Sequence, residues 1–393
     1  MIKTIFFVAA IGFAFCLAVV CEGQDLNKPE DSIRVATYNV ALNRRKAGQL
    51  TEELQSGNSK DGKALAAVLQ IVRPDVVLLN EVDYDGGKSA QAFVEKYLAI
   101  GQDGNEPLEF KYRYTGPVNT GIDSGVDMDG NSRKGEPVDA FGFGRFPGQY
   151  GMVILSKFEI ETDKIRTFQN FLWKDMPGAL VPRAPNAEKN YYSDEIMKVF
   201  RLSSKSHWDV PVKIGSKSIH ILASHPTPPV FDGEEDKNGC RNYDEIRMFA
   251  DYVSGKGDYL YDDGGKKGAF TGQHFVIVGD LNSDPNDGNS RKGAMDLLVK
   301  NPMVNAVTTP KSTGGQYWAD EQGKKNLEHK GDPLHDTGDF GDDRVGNMRV
   351  DYALPSKSLK VVNSGVFWPK PGEKGSDEVK ASDHRLVWID VAK

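Results

Sequence analysis

Apolar runs of strand length recur along the chain between long polar stretches, and this alternation limits the folds open to it. The runs lie at residues 33–40, 75–82, 150–157, 218–225, 274–282, 349–356 and 384–391. Their length and their β-branched residues are typical of buried strands. Apolar residues at helical spacing occur between residues 61 and 72, just before Pro74, and again from Ile246 to Val253. We therefore expect one α/β domain with large surface loops over residues 33–393.

The composition excludes some classes of protein and leaves others open. Of the 393 residues, 39% are hydrophobic and 27% are charged, as in a soluble globular protein. The net charge of −7 gives no general attraction to nucleic acid, although a local basic groove remains compatible with a nuclease. The chain has no Walker, dinucleotide-binding or Gly-x-Ser-x-Gly motif. Its seven histidines show no zinc-type spacing, which disfavours zinc.

The N-terminus has the pattern of an export signal. Lys3 precedes an apolar segment from Ile5 to Val20, and polar chain follows. We predict a signal peptide at 1–23, a linker at 24–32, and a secreted or periplasmic location after cleavage. Whether Cys21 is lipidated stays open, although the bulky residues before it make a poor lipobox. The mature chain would keep only Cys240, and we expect a monomer with no stable membrane span.

Polar residues stand where the apolar runs stop or start. They are Asn39, Glu81, His225, Asp280, Asn282, Asp351, Asp383 and His384. Each alone is compatible with a capping turn. Together they predict a polar cluster at one edge of the sheets, and buried carboxylates need a cation or hydrogen-bond donors there. Oxygen donors of these types suit Mg²⁺ or Mn²⁺.

The ordered series resembles the endonuclease/exonuclease/phosphatase superfamily, in a secreted bacterial branch. The resemblance is carried by "ATYNV", "LLNEV", "ASHPT", "GDLNS", "RVDYAL" and "SDHRLV", which occur in the family's order. "GDLN" and "SDH" are weak alone, but the full series is specific. It implies a DNase I-like, four-layer α/β sandwich. Two mixed β-sheets would pack face to face with helices outside, and the site would lie at one end.

The resemblance also implies a metal site and its neighbours. Glu81 would be the principal Mg²⁺ ligand, with Asn39 and Asp383 around the same ion. Asp280 would orient or deprotonate the attacking water, and Asn282 would hold a phosphate oxygen. On an extended chain, residues two apart face the same side, so Asp280 and Asn282 are expected to share one face.

Histidines would complete the site in the same family pattern. His384, oriented by Asp351, and His225 would contact the scissile phosphate. Asp383 and His384 are adjacent, and a regular strand would point them to opposite faces. If both serve one site, the chain must bend before Arg385.

Three further residues are weaker candidates for substrate binding. Lys205 and His207 stand just before an expected strand, where a cationic pair would bind a phosphate; a solvated strand end explains them equally well. Arg241 opens an expected outer helix, where it either reaches back to the site or solvates the helix.

The aromatic stretch at 140–152 is either a substrate-side loop or, as we favour, a segment that packs down on the domain.

An acidic loop suggests a second ion. Asp127, Asp129 and Asn131 alternate around Gly130, as in part of a calcium loop, but the bidentate glutamate of such loops is missing. We interpret the segment as a loop and keep an additional Ca²⁺ as an option.

Three functions remain open on the sequence alone. The first is an exported Mg²⁺-dependent phosphoesterase acting on a phosphodiester or an organic phosphate. The alternative is a secreted nuclease that degrades DNA or RNA, and the third is a non-catalytic binding protein on the same scaffold. The complete set of polar residues disfavours the third. The substrate is not fixed, because specificity resides in loops.

Overall fold

The computed structural model describes residues 25–185 and 188–393, so the predicted signal peptide lies outside the described residues. The strands are β1 (Ser32–Asn39), β2 (Val76–Asn80), β3 (Tyr112–Tyr114), β4 (Met152–Ser156), β5 (Arg166–Thr167), β6 (His207–Ile214), β7 (Lys217–Ser224), β8 (His274–Asp280), β9 (Gly338–Asp339), β10 (Asn347–Met348), β11 (Asp351–Pro355), β12 (Val361–Phe367) and β13 (Leu386–Ala392). The helices are α1 (Gln49–Gln55), α2 (Lys60–Val72), α3 (Lys88–Phe93), α4 (Asp194–Val199), α5 (Lys237–Val253), α6 (Asp296–Val299) and α7 (Thr313–Gln322). In this described part, no helix is long and apolar enough to cross a membrane.

Two mixed sheets form the centre of the protein. One has the strand order β12-β13-β1-β2-β4-β3 and the other β11-β8-β7-β6-β5, while β9 and β10 form a small ribbon. Within each sheet one central pair is parallel, β1 with β2 and β7 with β8, and the remaining pairs are antiparallel. The predicted pair of mixed sheets is confirmed.

The side chains of the strands divide into three apolar layers because successive residues point to opposite faces. Between the sheets, Val35 of β1 packs in one cluster with Val210 of β6 and Val278 of β8. On the outer face of the first sheet, residues of β1 and β2 pack with Leu65 and Leu69 of α2. The second sheet packs on its outer face against α5. The predicted four-layer α/β sandwich is therefore the observed architecture.

The topology brings the polar ends of six strands to one edge. The parallel pairs β1–β2 and β7–β8 run out at the same end, where Asn39, Glu81, His225 and Asp280 follow or close them. The antiparallel neighbours start there instead, and Asp351 at the start of β11 pairs directly with Asp280. β13 likewise starts beside the end of β1. Strand order within each sheet, together with the face-to-face packing of the two sheets, therefore explains the convergence of these distant residues.

Candidate active site

Asp280 lies at the centre of the convergent side chains. Its Oδ2 atom lies 3.0 Å from Nδ2 of Asn39, 3.3 Å from Nε2 of His225 and 3.7 Å from Nε2 of His384. The side chain is buried. Burial alone would raise the pKa of Asp280, but the charge of His384 and the hydrogen bonds from His225 and Asn39 lower it below its usual value. Asp280 is therefore an ionised carboxylate at neutral pH.

His384 forms a buried pair with Asp351. Nδ1 of His384 lies 2.8 Å from Oδ2 of Asp351, which leaves Nε2 facing Asp280. Although burial lowers the pKa of His384, the carboxylates of Asp351 and Asp280 raise it to about 10. The imidazole is thus a cation held in one orientation, and Asp351 sets that orientation.

A bend before β13 presents His384 to the site. The chain bends at Ser382 and Asp383, and β13 begins only at Leu386. Ser382 Oγ donates to the carbonyl of Asn39 (2.7 Å) and accepts from the backbone N–H of His384 (3.0 Å). The bend expected from the sequence is therefore present, and Ser382 ties it to the end of β1.

Glu81 provides a partly exposed carboxylate beside Asp280. It follows β2 in the left-handed region, with φ of 63°, a conformation that is uncommon for a non-glycine residue and that often marks functional sites. Its oxygens accept from Nδ2 of Asn39 (3.2 Å) and of Asn43 (2.8 Å). Among the described residues it makes no ion pair with lysine or arginine. A hard divalent cation fits this carboxylate, because it supplies the positive charge that the two amides lack.

The other two predicted metal ligands are less well placed. Asn39 presents its amide nitrogen to Glu81 and Asp280, while its Oδ1 accepts from the backbone N–H of Ala41 (3.1 Å). A ligand role would need the amide turned round, and as placed Asn39 is a hydrogen-bond bridge. The side chain of Asp383 is 58% exposed, with Oδ1 3.9 Å from Nε2 of His384. Its role as a ligand stays a prediction.

Asn282 reaches the site by a turn, not along a strand. β8 ends at Asp280, and Asn282 has a left-handed φ of 52°, so the expected extended spacing of the two residues is wrong. Asn282 still lines the same pocket as Asp280, and its Nδ2 donates to the carbonyl of Pro226 (3.1 Å). Asp284 accepts backbone N–H groups of Asn286 and Arg349, and so it shapes the turn.

A pocket of about 700 Å³ opens over these groups. Its polar lining includes Glu81, His225, Asp280, Asn282 and His384. Lys205 also lines it and is buried, and its side-chain amine has no hydrogen bond or ion pair in the part of the chain that the structure describes. Burial lowers the pKa of Lys205, against the opposing carboxylates of Glu245, Glu81 and Asp280. An amine in this position would be stabilised by an anion bound in the pocket.

The other two candidates for substrate binding are structural. His207 is the buried first residue of β6, with Nδ1 2.6 Å from Ser203 Oγ and Nε2 2.9 Å from the carbonyl of Glu245. Both ring nitrogens of His207 contact groups outside the pocket lining. The prediction that His207 binds substrate is therefore corrected. Arg241 does line the pocket, but its guanidinium donates to the carbonyls of Leu202 (2.8 Å) and Phe141 (2.5 Å). It holds loops together.

Two buried side chains of α5 fasten the loops that carry the site. Nδ2 of Asn242 donates to the carbonyls of Thr227 (2.8 Å) and Leu281 (3.0 Å). The carboxylate of Glu245 accepts the backbone N–H of Ser204 (2.6 Å) and of Thr227 (2.6 Å). The loops bearing Lys205, His225 and Asn282 are therefore held to one helix. Glu245 was missed from the sequence, although its spacing from Phe249 places it on the buried helical face.

We expect Glu245→Gln to loosen these loops. A glutamine oxygen replaces only one of the two acceptors, so one buried N–H loses a charge-assisted bond, at a cost of about 1–3 kcal/mol in unfolding free energy. We expect kcat/KM to fall about tenfold, since Lys205 and His225 lose their support. Denaturant unfolding and steady-state kinetics measure both. Glu321→Gln, on the exposed side of α7, is the matched control. Equal unfolding free energies and equal kcat/KM values in the two variants would contradict the role of Glu245 in holding these loops.

The acidic loop is satisfied by its own backbone. The carboxylate of Asp127 accepts the N–H groups of Gly130 (2.7 Å) and Ser132 (2.7 Å), and that of Asp139 accepts from Met128 (2.8 Å) and Glu136 (3.0 Å). Carboxylate oxygens of Asp127, Asp129 and Asp139 lie within 4.8 Å of one another. These bonds account for the cluster without an ion, so the option of Ca²⁺ is not supported.

Most of the chain matches the sequence model of a known protein family. The model of the "Endonuclease/Exonuclease/phosphatase family" matches residues 36–384. The chain belongs to this family. Members of the endonuclease/exonuclease/phosphatase family are usually metal-dependent phosphoester hydrolases. No curated protein is significantly similar to the chain in sequence.

Solved structures of similar fold include two bacterial family members and a toxin. An endonuclease/exonuclease/phosphatase from Beutenbergia cavernae is 17% identical, with a TM-score of 0.48 over 92% of this chain and 72% of that one. A family protein from Leptotrichia buccalis is 15% identical, with a TM-score of 0.48 over 91% and 99%. A Staphylococcus aureus beta toxin mutant with bound magnesium ions is 13% identical, with a TM-score of 0.43 over 92% and 100%.

Proposed function

We propose that this chain is an exported, Mg²⁺-dependent phosphoesterase that hydrolyses a phosphodiester or an organic phosphate by attack of water at phosphorus. The observation that carries the proposal is the arrangement around Asp280. One ionised carboxylate lies between two imidazoles at the floor of a pocket that also contains Glu81 and Lys205. Export rests on the N-terminal segment alone.

Glu81 is the residue that would hold Mg²⁺ or Mn²⁺, with Asp383 as a further candidate ligand. When bound, a divalent ion neutralises charge on the phosphate oxygens and polarises the P–O bond. The fit rests on the donors present: the carboxylate of Glu81 lines the pocket, accepts from two amides, and has no lysine or arginine partner among the described residues. Mn²⁺ prefers the same oxygen ligands and would serve in its place.

Asp280 is the proposed base. Its charge and its position at the pocket floor suit it to orient the attacking water and to accept the proton that the water loses. Asn39 and His225 fix the carboxylate by the contacts described above, so that its free lone pairs face the pocket. Asn282, at the rim of the same turn, would hold a non-bridging phosphate oxygen through its amide nitrogen.

His384 and Lys205 supply positive charge at the phosphate. The phosphate group carries negative charge that repels an incoming nucleophile, and this charge grows on its oxygens during attack. The imidazolium of His384, fixed by Asp351, faces Asp280 and the pocket. Lys205 lines the pocket from the segment just before β6. Positive groups in a buried site stabilise the transition state more than mobile surface cations would.

A substrate panel on the mature protein, residues 24–393, tests the proposal. It contains bis-p-nitrophenyl phosphate, p-nitrophenyl phosphate, sphingomyelin, phytate, plasmid DNA and RNA, each with Mg²⁺ or with EDTA. We expect turnover of at least one phosphate ester, abolished by EDTA and restored by added Mg²⁺. Cleavage of DNA or RNA alone would favour the nuclease. No turnover of any substrate, or equal turnover in EDTA, would overturn the proposal.

A further inference from the structure

The pocket continues beyond the catalytic groups along an apolar wall. The wall is formed by Met128, Val138, Phe143, Tyr192, Phe200 and Phe231. At about 30 Å³ per water molecule, the pocket has room for roughly twenty waters. A phosphate group fills only a small part of such a space. Most of the volume therefore faces carbon and is available to the alcohol part of a substrate.

The rim of this wall leaves large apolar side chains in solvent. Phe231 is 90% exposed, Phe143 55% and Val138 42%. No other phenylalanine in the described residues is among the exposed large hydrophobic side chains. Phe231 also has a left-handed φ of 66°, which is unfavourable for a bulky residue. Exposure and strain at the mouth of the same pocket favour a binding role over a packing role. The interpretation of the 140–152 segment as packing alone is corrected for Phe143.

Both rim loops are held in place before any ligand binds. On the Phe143 side, Arg241 donates to the carbonyl of Phe141 (2.5 Å). On the Phe231 side, Nδ2 of Asn238 donates to the carbonyl of Val230 (2.6 Å). Both donors come from the first turns of α5, the helix that also fastens the catalytic loops. The wall and the catalytic groups are thus fixed to the same element, which lowers the entropic cost of binding.

The charges at the two ends of the pocket differ. At the catalytic end, Lys205 and His384 line the pocket, and among the described residues the side-chain amine of Lys205 has no hydrogen bond or ion pair. At the apolar end, the charged neighbours include Asp129, which lines the pocket, and Lys237, which pairs with Glu235 at 3.3 Å. A single-stranded nucleic acid would need a continuous basic groove along its backbone. One anion at one end and an apolar group at the other suits this pocket better.

We propose that the substrate is a phosphate ester whose alcohol carries a large apolar group, and that this group lies on the wall of Phe143 and Phe231. The inference rests on the proposed function, since it assumes that the phosphate binds at Lys205 and His384. Phe143 and Phe231 would then determine specificity for this class of substrate.

Binding of n-alkylphosphonates tests the inference without turnover, because their P–C bond resists hydrolysis. Dissociation constants for methyl-, butyl- and octylphosphonate are measured by titration calorimetry on the mature protein with Mg²⁺. Each fully buried methylene contributes roughly fourfold to affinity, so octylphosphonate is expected to bind at least about 100-fold more tightly than methylphosphonate. In the Phe143→Ser/Phe231→Ser variant this ratio is expected to fall at least about tenfold. Leu327→Ser, at an exposed leucine outside the pocket, should keep the wild-type ratio.

The outcomes separate the inference from the proposed function. A ratio near one in the wild type, with methylphosphonate bound and a phosphate ester cleaved in the panel, would overturn only the inference. An unchanged ratio in the double phenylalanine variant would overturn the assignment of the wall. Displacement of octylphosphonate by a single-stranded oligonucleotide at lower concentration than by butylphosphonate would overturn it in favour of a nuclease. No phosphonate bound and no ester cleaved would overturn the proposed function itself.

Discussion

Replacement of Asp280 by asparagine is expected to lower kcat by about 10³-fold while the fold stays intact. Asparagine has the same shape, so the sheet pairing with Asp351 and the packing around it persist. An amide accepts no proton from water at neutral pH, and it carries no charge to face His384 and His225. The loss should appear in kcat and much less in KM, because the base acts during attack on phosphorus.

The same turn provides a matched control for this variant. Asp284 lies four residues further on, is buried, and accepts backbone N–H groups without lining the pocket. Asp284→Asn should lower thermal stability and leave kcat near that of the wild type. Steady-state kinetics and thermal unfolding on both variants make the comparison. If Asp280→Asn keeps more than a tenth of the wild-type kcat, Asp280 is not the base.

Removal of His384 is expected to have an effect of similar size. His384→Ala deletes the cation that faces Asp280, and we expect kcat to fall by about 10³-fold. Asp351 is fully buried, lies outside the pocket lining, and reaches the site through Nδ1 of His384. It is a positioning residue. Asp351→Asn should therefore lower kcat by about 10²-fold, because it leaves the imidazole present but poorly held.

A double-mutant cycle distinguishes positioning from an independent role. If Asp351 acts only through His384, the double variant should be no slower than His384→Ala alone. The cycle is measured as kcat on one panel substrate, with far-ultraviolet circular dichroism to confirm folding. Effects that multiply across the two substitutions would show that Asp351 has a separate function, and the proposed pair would then be wrong.

Much of the fold was predictable from the sequence, because polar residues mark the ends of its strands. The helix expected before Pro74 is α2, and the apolar runs ending near Asn39, Glu81 and Asp280 are strands of the two sheets. These strands are buried on both faces, so their residues form continuous apolar runs in the sequence. The polar ends of the runs predicted a cluster at one edge of the sheets, whereas the strand order that brings them together is known only from the structure.

The parts that were missed depend on tertiary context. β12 includes Asn363, Ser364 and Gly365 and lies at a sheet edge, so no apolar run marks it. The backbone of Asn282 leaves the strand in a left-handed turn that spacing rules do not foresee. The role of Glu245 could not be predicted from the sequence, because a buried carboxylate is rare unless it is paired. Its partners are backbone N–H groups of distant loops. Such partners leave no pattern in the sequence.

The most direct test of the central claim follows the oxygen atom that cleavage adds. In water enriched in oxygen-18, the mature protein with Mg²⁺ should hydrolyse bis-p-nitrophenyl phosphate and place the label in the phosphate product. Mass spectrometry of both products measures the label, with an EDTA sample as the control. Label in the phosphate and none in p-nitrophenol is the result predicted for water attacking phosphorus. Label in p-nitrophenol, or equal product formation in EDTA, would contradict it.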